Sequence, residues 1–301
     1  MRNDIEFRTD DGTTLRGWHY PPRKKLGESS AVVVMCHGFS GVKGSLTKYA
    51  EVFAAAGLSV VLYDHRGFGD SDGRVRQEID PYQQIADFRD ALTFAQTLPG
   101  VDPKRIGVWG SSFAGAHAMM LAANDRRVKC VVAQVPLMSG HATIQRLLRP
   151  DRLAKARELF AQDRAARMRG EAPMRVPVFA TDDQLCALPP PVSERFIKAS
   201  EEEDPLWRNE VTLRSIEMLS EYEPGSFLKF IAPTPLLLVV GAKDIVAAAD
   251  LALSAYETAL HPKKLVIHPG GHFATYYQHF EQSSGEARDW FLTHLAESEG
   301  Q

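Results

Sequence analysis

Val108-Trp109-Gly110-Ser111-Ser112-Phe113-Ala114-Gly115 is a stretch in which an apolar run stops, turns on small residues and gives way to a helix-forming segment. A strand that ends in a tight turn and then starts a helix leaves the turn's central side chain exposed, with helix N–H groups behind it. Two serines compete for that position. Around Ser112 the residues two before and two after are Gly110 and Ala114, whereas around Ser111 they are Trp109 and Phe113. Only Ser112 has a frame small enough for a strained elbow, so Ser112 is the candidate nucleophile.

Outward from the elbow, strands and helices alternate. Ile5-Glu6-Phe7-Arg8 and Leu15-Arg16-Gly17-Trp18-His19-Tyr20 flank Asp11-Gly12 and read as an antiparallel hairpin. Ala31-Val32-Val33-Val34-Met35-Cys36 is a continuous apolar run, the pattern of a strand covered on both faces, and it leads into His37-Gly38-Phe39-Ser40-Gly41. The spacing predicts a helix over 46–56, the strand Leu58-Ser59-Val60-Val61-Leu62-Tyr63, a loop over 64–73 and a helix over 81–98 with Pro81 in its first turn. After the elbow come a helix over 114–123 and a strand over 128–135. The alternation predicts an α/β fold with a mostly parallel sheet, helices on both faces and ligands at the carboxyl ends of the strands.

From 139 to 230 the chain becomes helix-rich, charged and interrupted by Pro173, Pro177 and Pro189-Pro190-Pro191, with no buried strand apparent. This predicts a helical cap inserted into a core made of 1–138 and 231–301. Residues 141–180 carry nine Lys/Arg against four Asp/Glu, and 181–230 five against eleven. The two halves are expected to pair with each other or with solvent; a homodimer contact through the cap or an anionic-substrate patch is the other use of such a split. The sheet resumes at Pro235-Leu236-Leu237-Leu238-Val239-Val240-Gly241, a helix follows with Asp250 as its expected cap, and the last strand is Lys264-Leu265-Val266-Ile267.

Composition excludes several classes of function. With 301 residues and 44% hydrophobic content the chain can bury a large core, while a net charge of -3 offers no general attraction to nucleic acid or to an anionic membrane. The start lacks an apolar signal segment, and no run approaches the roughly 18 apolar residues of a membrane span. The protein is expected to be soluble and cytoplasmic. Cys36, Cys130 and Cys186 are too few and too scattered for a disulfide framework or a metal site.

A serine hydroxyl needs a base within hydrogen-bond reach and a group that orients that base. His272, in Gly270-Gly271-His272 after the last strand, and Asp244, in Gly241-Ala242-Lys243-Asp244, both lie at strand ends. The order Ser112, Asp244, His272 differs from those of chymotrypsin and subtilisin. The other place for the acid, Val135-Pro136-Leu137-Met138-Ser139, holds no carboxylate. His268, His141 and His279 are expected bystanders. The backbone N–H groups of Phe113, after the nucleophile, and of Phe39, after the first parallel strand, are the candidate oxyanion donors. Met138, Trp207, Met218 and Tyr222 are candidate lining residues of an apolar substrate pocket.

With these residues in view, the chain resembles the α/β-hydrolase superfamily over about residues 5 to 295. Within it the pattern is similar to dienelactone-hydrolase-like and X-prolyl-peptidase-like serine hydrolases, including a branch of polyketide thiohydrolases and acyltransferases. Ala114 departs from the glycine of many members but stays small. The resemblance also reads Asp64-His65-Arg66-Gly67-Phe68-Gly69-Asp70 as a brace for the strand ends rather than as catalytic. It implies a cofactor-independent, metal-free hydrolase that cleaves a carboxylic ester or thioester of a small to medium substrate through an acyl-enzyme. An acyltransferase is the alternative, and a non-catalytic small-molecule receptor a more remote one. A serine at 112 argues against dehalogenase and epoxide-hydrolase chemistry, for which the resemblance demands an aspartate.

Overall fold

The opening hairpin is β1 (Asn3–Arg8) and β2 (Thr14–Tyr20), paired antiparallel with Phe7 opposite Leu15, in a computed structural model that describes residues 2–24, 27–180, 184–188 and 194–296. The chain continues through β3 (Ser30–Cys36), a short 3-10 helix (Lys43–Leu46), α1 (Thr47–Ala55), β4 (Ser59–Tyr63), α2 (Pro81–Ala95), β5 (Val101–Ser111), α3 (Phe113–Asn124) and β6 (Val128–Gln134). α2 begins where it does because the Asp80 carboxylate accepts the N–H groups of Tyr82 and Gln83, with Pro81 at the first helical position. α3 is buried from Phe113 to Ala122, and its alanines and glycine let it lie close against the sheet.

Between β6 and the next sheet strand lie α4 (Gly140–Leu147), α5 (Pro150–Met168), β7 (Arg175–Val176), α6 (Glu194–Glu203), β8 (Val211–Thr212) and α7 (Leu213–Ser220). The expectation that this segment holds no buried strand is corrected: β7 and β8 form an antiparallel ribbon whose Val176 and Val211 are paired and buried. Two residues per strand are too few to show a period of two. Pro189-Pro190-Pro191 lies outside the described residues. Two ion pairs join the charge halves, Arg164 with Glu217 and Arg175 with Glu210, while Arg149, Arg167 and Arg169 pair within their own half.

A 3-10 helix (Pro224–Phe230) leads to β9 (Leu236–Gly241), α8 (Ala249–Thr258), β10 (Lys263–His268), a last 3-10 helix (Phe273–Tyr276) and α9 (Phe280–His294). Asp250 is not the cap of α8: Ala248 holds that position, and Asp250, in the first turn, instead binds Arg146 at 2.7 Å. The eight-stranded sheet has the order β1-β2-β4-β3-β5-β6-β9-β10, parallel from β4 to β10. Alternate residues of β3 feed two cores: Val32, Val34 and Cys36 face α2 and α3, while Val33 and Met35 face α1 and α9. β6 and β9 are parallel neighbours, so the helical segment leaves at the carboxyl end of β6 and the chain returns to the amino end of the adjacent strand β9. No helix among the described residues is long and apolar enough to cross a membrane.

Candidate active site

Ser112 sits between β5 and α3 with φ +59° and ψ −122°, a sparsely populated conformation for a non-glycine residue that costs roughly 1–3 kcal/mol. The surroundings hold it there. Its N–H donates to Gln134 O at 2.8 Å, and its carbonyl accepts from Gly115 N at 3.0 Å and Leu137 N at 3.2 Å. Gly110 has no alternative, since a Cβ there would lie 2.0 Å from Ala114 O. Ser111 is turned inward, 1% exposed, with Oγ 2.6 Å from the Tyr276 hydroxyl and 3.1 Å from Gln134 Nε2. The rival serine is therefore a packing partner of the elbow.

His272 Nε2 lies 3.0 Å from Ser112 Oγ, and His272 Nδ1 lies 2.7 Å from Asp244 Oδ2. The loops that carry Asp244 and His272 are stitched together: Ala242 N donates to His268 O at 2.8 Å and Lys243 N to Gly270 O at 3.0 Å. Asp244 Oδ1 accepts the N–H groups of Val246 (2.8 Å) and Ala247 (2.9 Å), which leaves Oδ2 as the acceptor for the imidazole. The imidazole hydrogen thus sits on Nδ1, and Nε2 turns its lone pair to Ser112. His268 is 1% exposed, bound to Thr275 Oγ1 at 2.7 Å and stacked on His279; it packs the loop and does not reach Ser112.

Phe113 is the first residue of α3, so its N–H has no carbonyl four residues back within the helix. Phe39 lines the same pocket as Ser112, its ring edge-on to that of Phe113 at 5.6 Å. The Phe39 loop is set by His37, which accepts the N–H of His65 on Nε2 at 3.1 Å and donates from Nδ1 to Gly38 O at 3.0 Å. Burial keeps His37 neutral by lowering its pKa. Below it, Lys43 Nζ bridges Asp64 Oδ2 (2.6 Å) and Asp70 Oδ2 (2.7 Å), while Arg66 Nε holds Asp87 Oδ2 at 2.7 Å. The 64–70 loop braces the strand ends through these ion pairs. Behind Phe113, His117 Nδ1 meets the Tyr222 hydroxyl and Nε2 meets Gln84 Oε1, both at 3.0 Å, and burial pushes its pKa down to about 3.

A cavity of about 170 Å³ opens at Ser112 and His272. Much of its wall is aromatic, with Phe39, Phe179, Trp207, Phe273, Tyr276 and Phe280, and Ser45, Lys48 and Asp204 are among its polar lining residues. Of the four pocket residues expected from sequence, Trp207 lines it. The other three are corrected: Met138 is buried beside the elbow, Tyr222 is buried with its hydroxyl on His117, and Met218 is half-buried on α7, so none of them lines the cavity.

A family model described as alpha/beta hydrolase fold matches residues 31–277. The chain belongs to the alpha/beta hydrolase family. The thiohydrolase AneE of Aspergillus aculeatus is 35% identical over 87% of this chain and 83% of its own length. The polyketide transferase GrgF of a Penicillium species is 31% identical over 98% of this chain and 97% of its own, and the crystal structure of the alpha/beta hydrolase GrgF superposes with a TM-score of 0.84 over 98% of this chain and 99% of that one.

In this alpha/beta hydrolase the pocket residues not expected from the sequence include Tyr276, Phe273, Phe179 and Asp204. Tyr276 and Phe273 follow His272 within one turn, a proximity visible in the sequence. Phe179 and Asp204 come from the segment between β6 and β9, whose placement over the sheet no local pattern encodes.

Proposed function

We propose that this alpha/beta hydrolase is a serine hydrolase cleaving a carboxylic ester or thioester through an acyl-enzyme on Ser112, with Asp244 and His272 completing its triad. The observation that carries the reading is the chain of hydrogen bonds from Ser112 Oγ through His272 to Asp244 on a strained elbow. His272 Nε2 takes the Ser112 proton as Oγ attacks the carbonyl carbon, and Asp244 stabilises the imidazolium. The oxyanion is received by the N–H groups of Phe113 and Phe39, each worth roughly 2.7–4 kcal/mol in such sites. His272 then protonates the departing thiolate or alkoxide. Water, deprotonated by His272, attacks the acyl-enzyme and releases the acid and Ser112. No step calls on a metal or cofactor.

Residues 139–230 serve as the cap that walls this site, supported by the cavity-lining positions of Phe179, Asp204 and Trp207. The charge split that motivated a cap-to-cap dimer is consumed in part within the chain. Cytoplasmic location belongs to the same proposal. A second reading, transfer of the acyl group to an alcohol or amine, is favoured by the transferase among the relatives.

The test is release of thiol from acyl thioesters of graded chain length by wild type and Ser112→Ala, with products analysed in the presence of alcohols and amines. Hydrolysis or transfer lost in the variant is the expected result, and the product decides between the two. Equal turnover by Ser112→Ala, or turnover by neither protein, contradicts the reading; in the second case the receptor alternative stands.

A further inference from the structure

The hydrogens around Ser111 can be counted. Gln134 Nε2 gives its two hydrogens to Ser111 Oγ and to the Tyr49 hydroxyl, each at 3.1 Å, and Gln134 Oε1 has no partner among the described residues. The opposite amide orientation would bury two N–H groups without acceptors, a worse outcome than one lone acceptor. Ser111 Oγ and the Tyr276 hydroxyl, 2.6 Å apart, then have two hydrogens for one shared contact. One hydrogen lies between them and the other needs an acceptor elsewhere.

Ser111 is 1% exposed and meets only Gln134 and Tyr276 through Oγ among the described residues. Were Tyr276 to donate to it, the serine's own hydrogen would be stranded where neither water nor protein accepts it. Tyr276, by contrast, is partly exposed and lines the cavity with Ser112 and His272. The economical arrangement has Ser111 donating to the phenol oxygen and the phenol O–H turned to the cavity. Burial raises the Tyr276 pKa, so the group keeps its hydrogen through the neutral range.

We infer that Tyr276 is a substrate-binding residue, a hydrogen-bond donor for an oxo or hydroxy substituent on the acyl chain close to the scissile carbonyl. The inference rests on the serine-hydrolase reading for the position of the acyl group. The phenol is tied to the residue before Ser112, and its ring centroid lies 6.4 Å from that of His272. The scissile oxygen is served by the N–H groups of Phe39 and Phe113, which leaves the phenol for a second oxygen of the same substrate. In a pocket walled by aromatic rings an acyl oxygen loses its water, and a single placed donor then discriminates strongly in its favour.

The experiment compares N-acetylcysteamine thioesters of hexanoate, 3-hydroxyhexanoate and 3-oxohexanoate with wild type, Tyr276→Phe and Ser111→Ala, reading kcat/KM by thiol release. The readout is the ratio of oxygenated to plain acyl chain within each protein, which a general loss of activity does not move. The ratio should favour the oxygenated chains in wild type and fall about fivefold to tenfold in Tyr276→Phe. An unchanged ratio overturns the inference. So does a ratio that rises in Ser111→Ala, which would mean that the phenol hydrogen is spent on Ser111. If wild type releases no thiol at all, the hydrolase reading fails separately. Calorimetric affinities of Ser112→Ala and Ser112→Ala/Tyr276→Phe for the same compounds then decide: a fall in the ratio upholds the tyrosine's role, and equal ratios overturn it.

Discussion

Replacing Asp244 by asparagine changes one atom and forces the wrong imidazole tautomer. Asp244 Oδ1 accepts two backbone N–H groups, from Val246 at 2.8 Å and Ala247 at 2.9 Å. The amide oxygen of the asparagine must stay there, because an NH2 in that place would oppose two donors. Its NH2 therefore faces His272 Nδ1, now 2.7 Å from Oδ2, and compels that nitrogen to accept. The imidazole hydrogen moves to Nε2, where it donates to Ser112 Oγ and can no longer remove the serine's proton. The same exchange in a protease triad lowers kcat about 10⁴-fold, which at roughly 1.36 kcal/mol per decade is about 5 kcal/mol of lost transition-state stabilisation. Since the loop hydrogen bonds survive, the unfolding midpoint should stay within a few degrees. Single-turnover thiol release at neutral pH is the assay. More than about a tenth of wild-type kcat in Asp244→Asn would refute the orienting role.

Three further outcomes follow from other parts of the molecule. Lys43→Met strips the cation from Asp64, which is 0% exposed, and should cost about 3–5 kcal/mol in urea unfolding; a loss under about 1 kcal/mol would mean that the brace is superficial, and adding Asp64→Asn should recover part of it. His117 has a folded-state pKa of about 3, below the ordinary histidine value, so the unfolded chain binds the proton more readily. Stability is full above about pH 6.5 and falls as pH drops from there toward 3, and His117→Gln, which can keep both hydrogen bonds, should show a shallower decline of melting temperature between pH 7.5 and 4. Gly44→Ala would place a methyl 1.8 Å from Asp204 Oδ2 and should turn that carboxylate, part of the cavity wall, out of its place. KM for acyl thioesters should change about threefold or more with kcat little altered, and equal KM values would show that this wall does not touch substrate.

The parts of the fold readable in the sequence are those fixed by burial on both sides. β3 and β9, and β5 from Ile106 onward, are buried almost throughout because helices cover each face, and the small frame Gly110 and Ala114 tells Ser112 from Ser111 because a Cβ at 110 would strike backbone. Asp244 and His272 were readable for a topological reason: in a parallel sheet every strand end points to one rim, so residues far apart in sequence converge there. What depends on the packing of helices over the sheet was not readable. Met138 and Tyr222 are apolar or aromatic residues close to the elbow in space, yet the segment between β6 and β9 turns Tyr222 to His117 rather than to the cavity. β7 and β8 are too short for any period, and the task of Tyr276 appears only once the hydrogens around Ser111 are counted.

On the proposed mechanism Ser112, and not Ser111, is the nucleophile activated by His272. Intact-mass and peptide mass spectrometry after treatment with a fluorophosphonate tests it most directly. A single adduct on Ser112 is expected in wild type and in Ser111→Ala, and none in Ser112→Ala. An adduct on Ser111, or an unmodified wild type under conditions that label a known serine esterase, would contradict it.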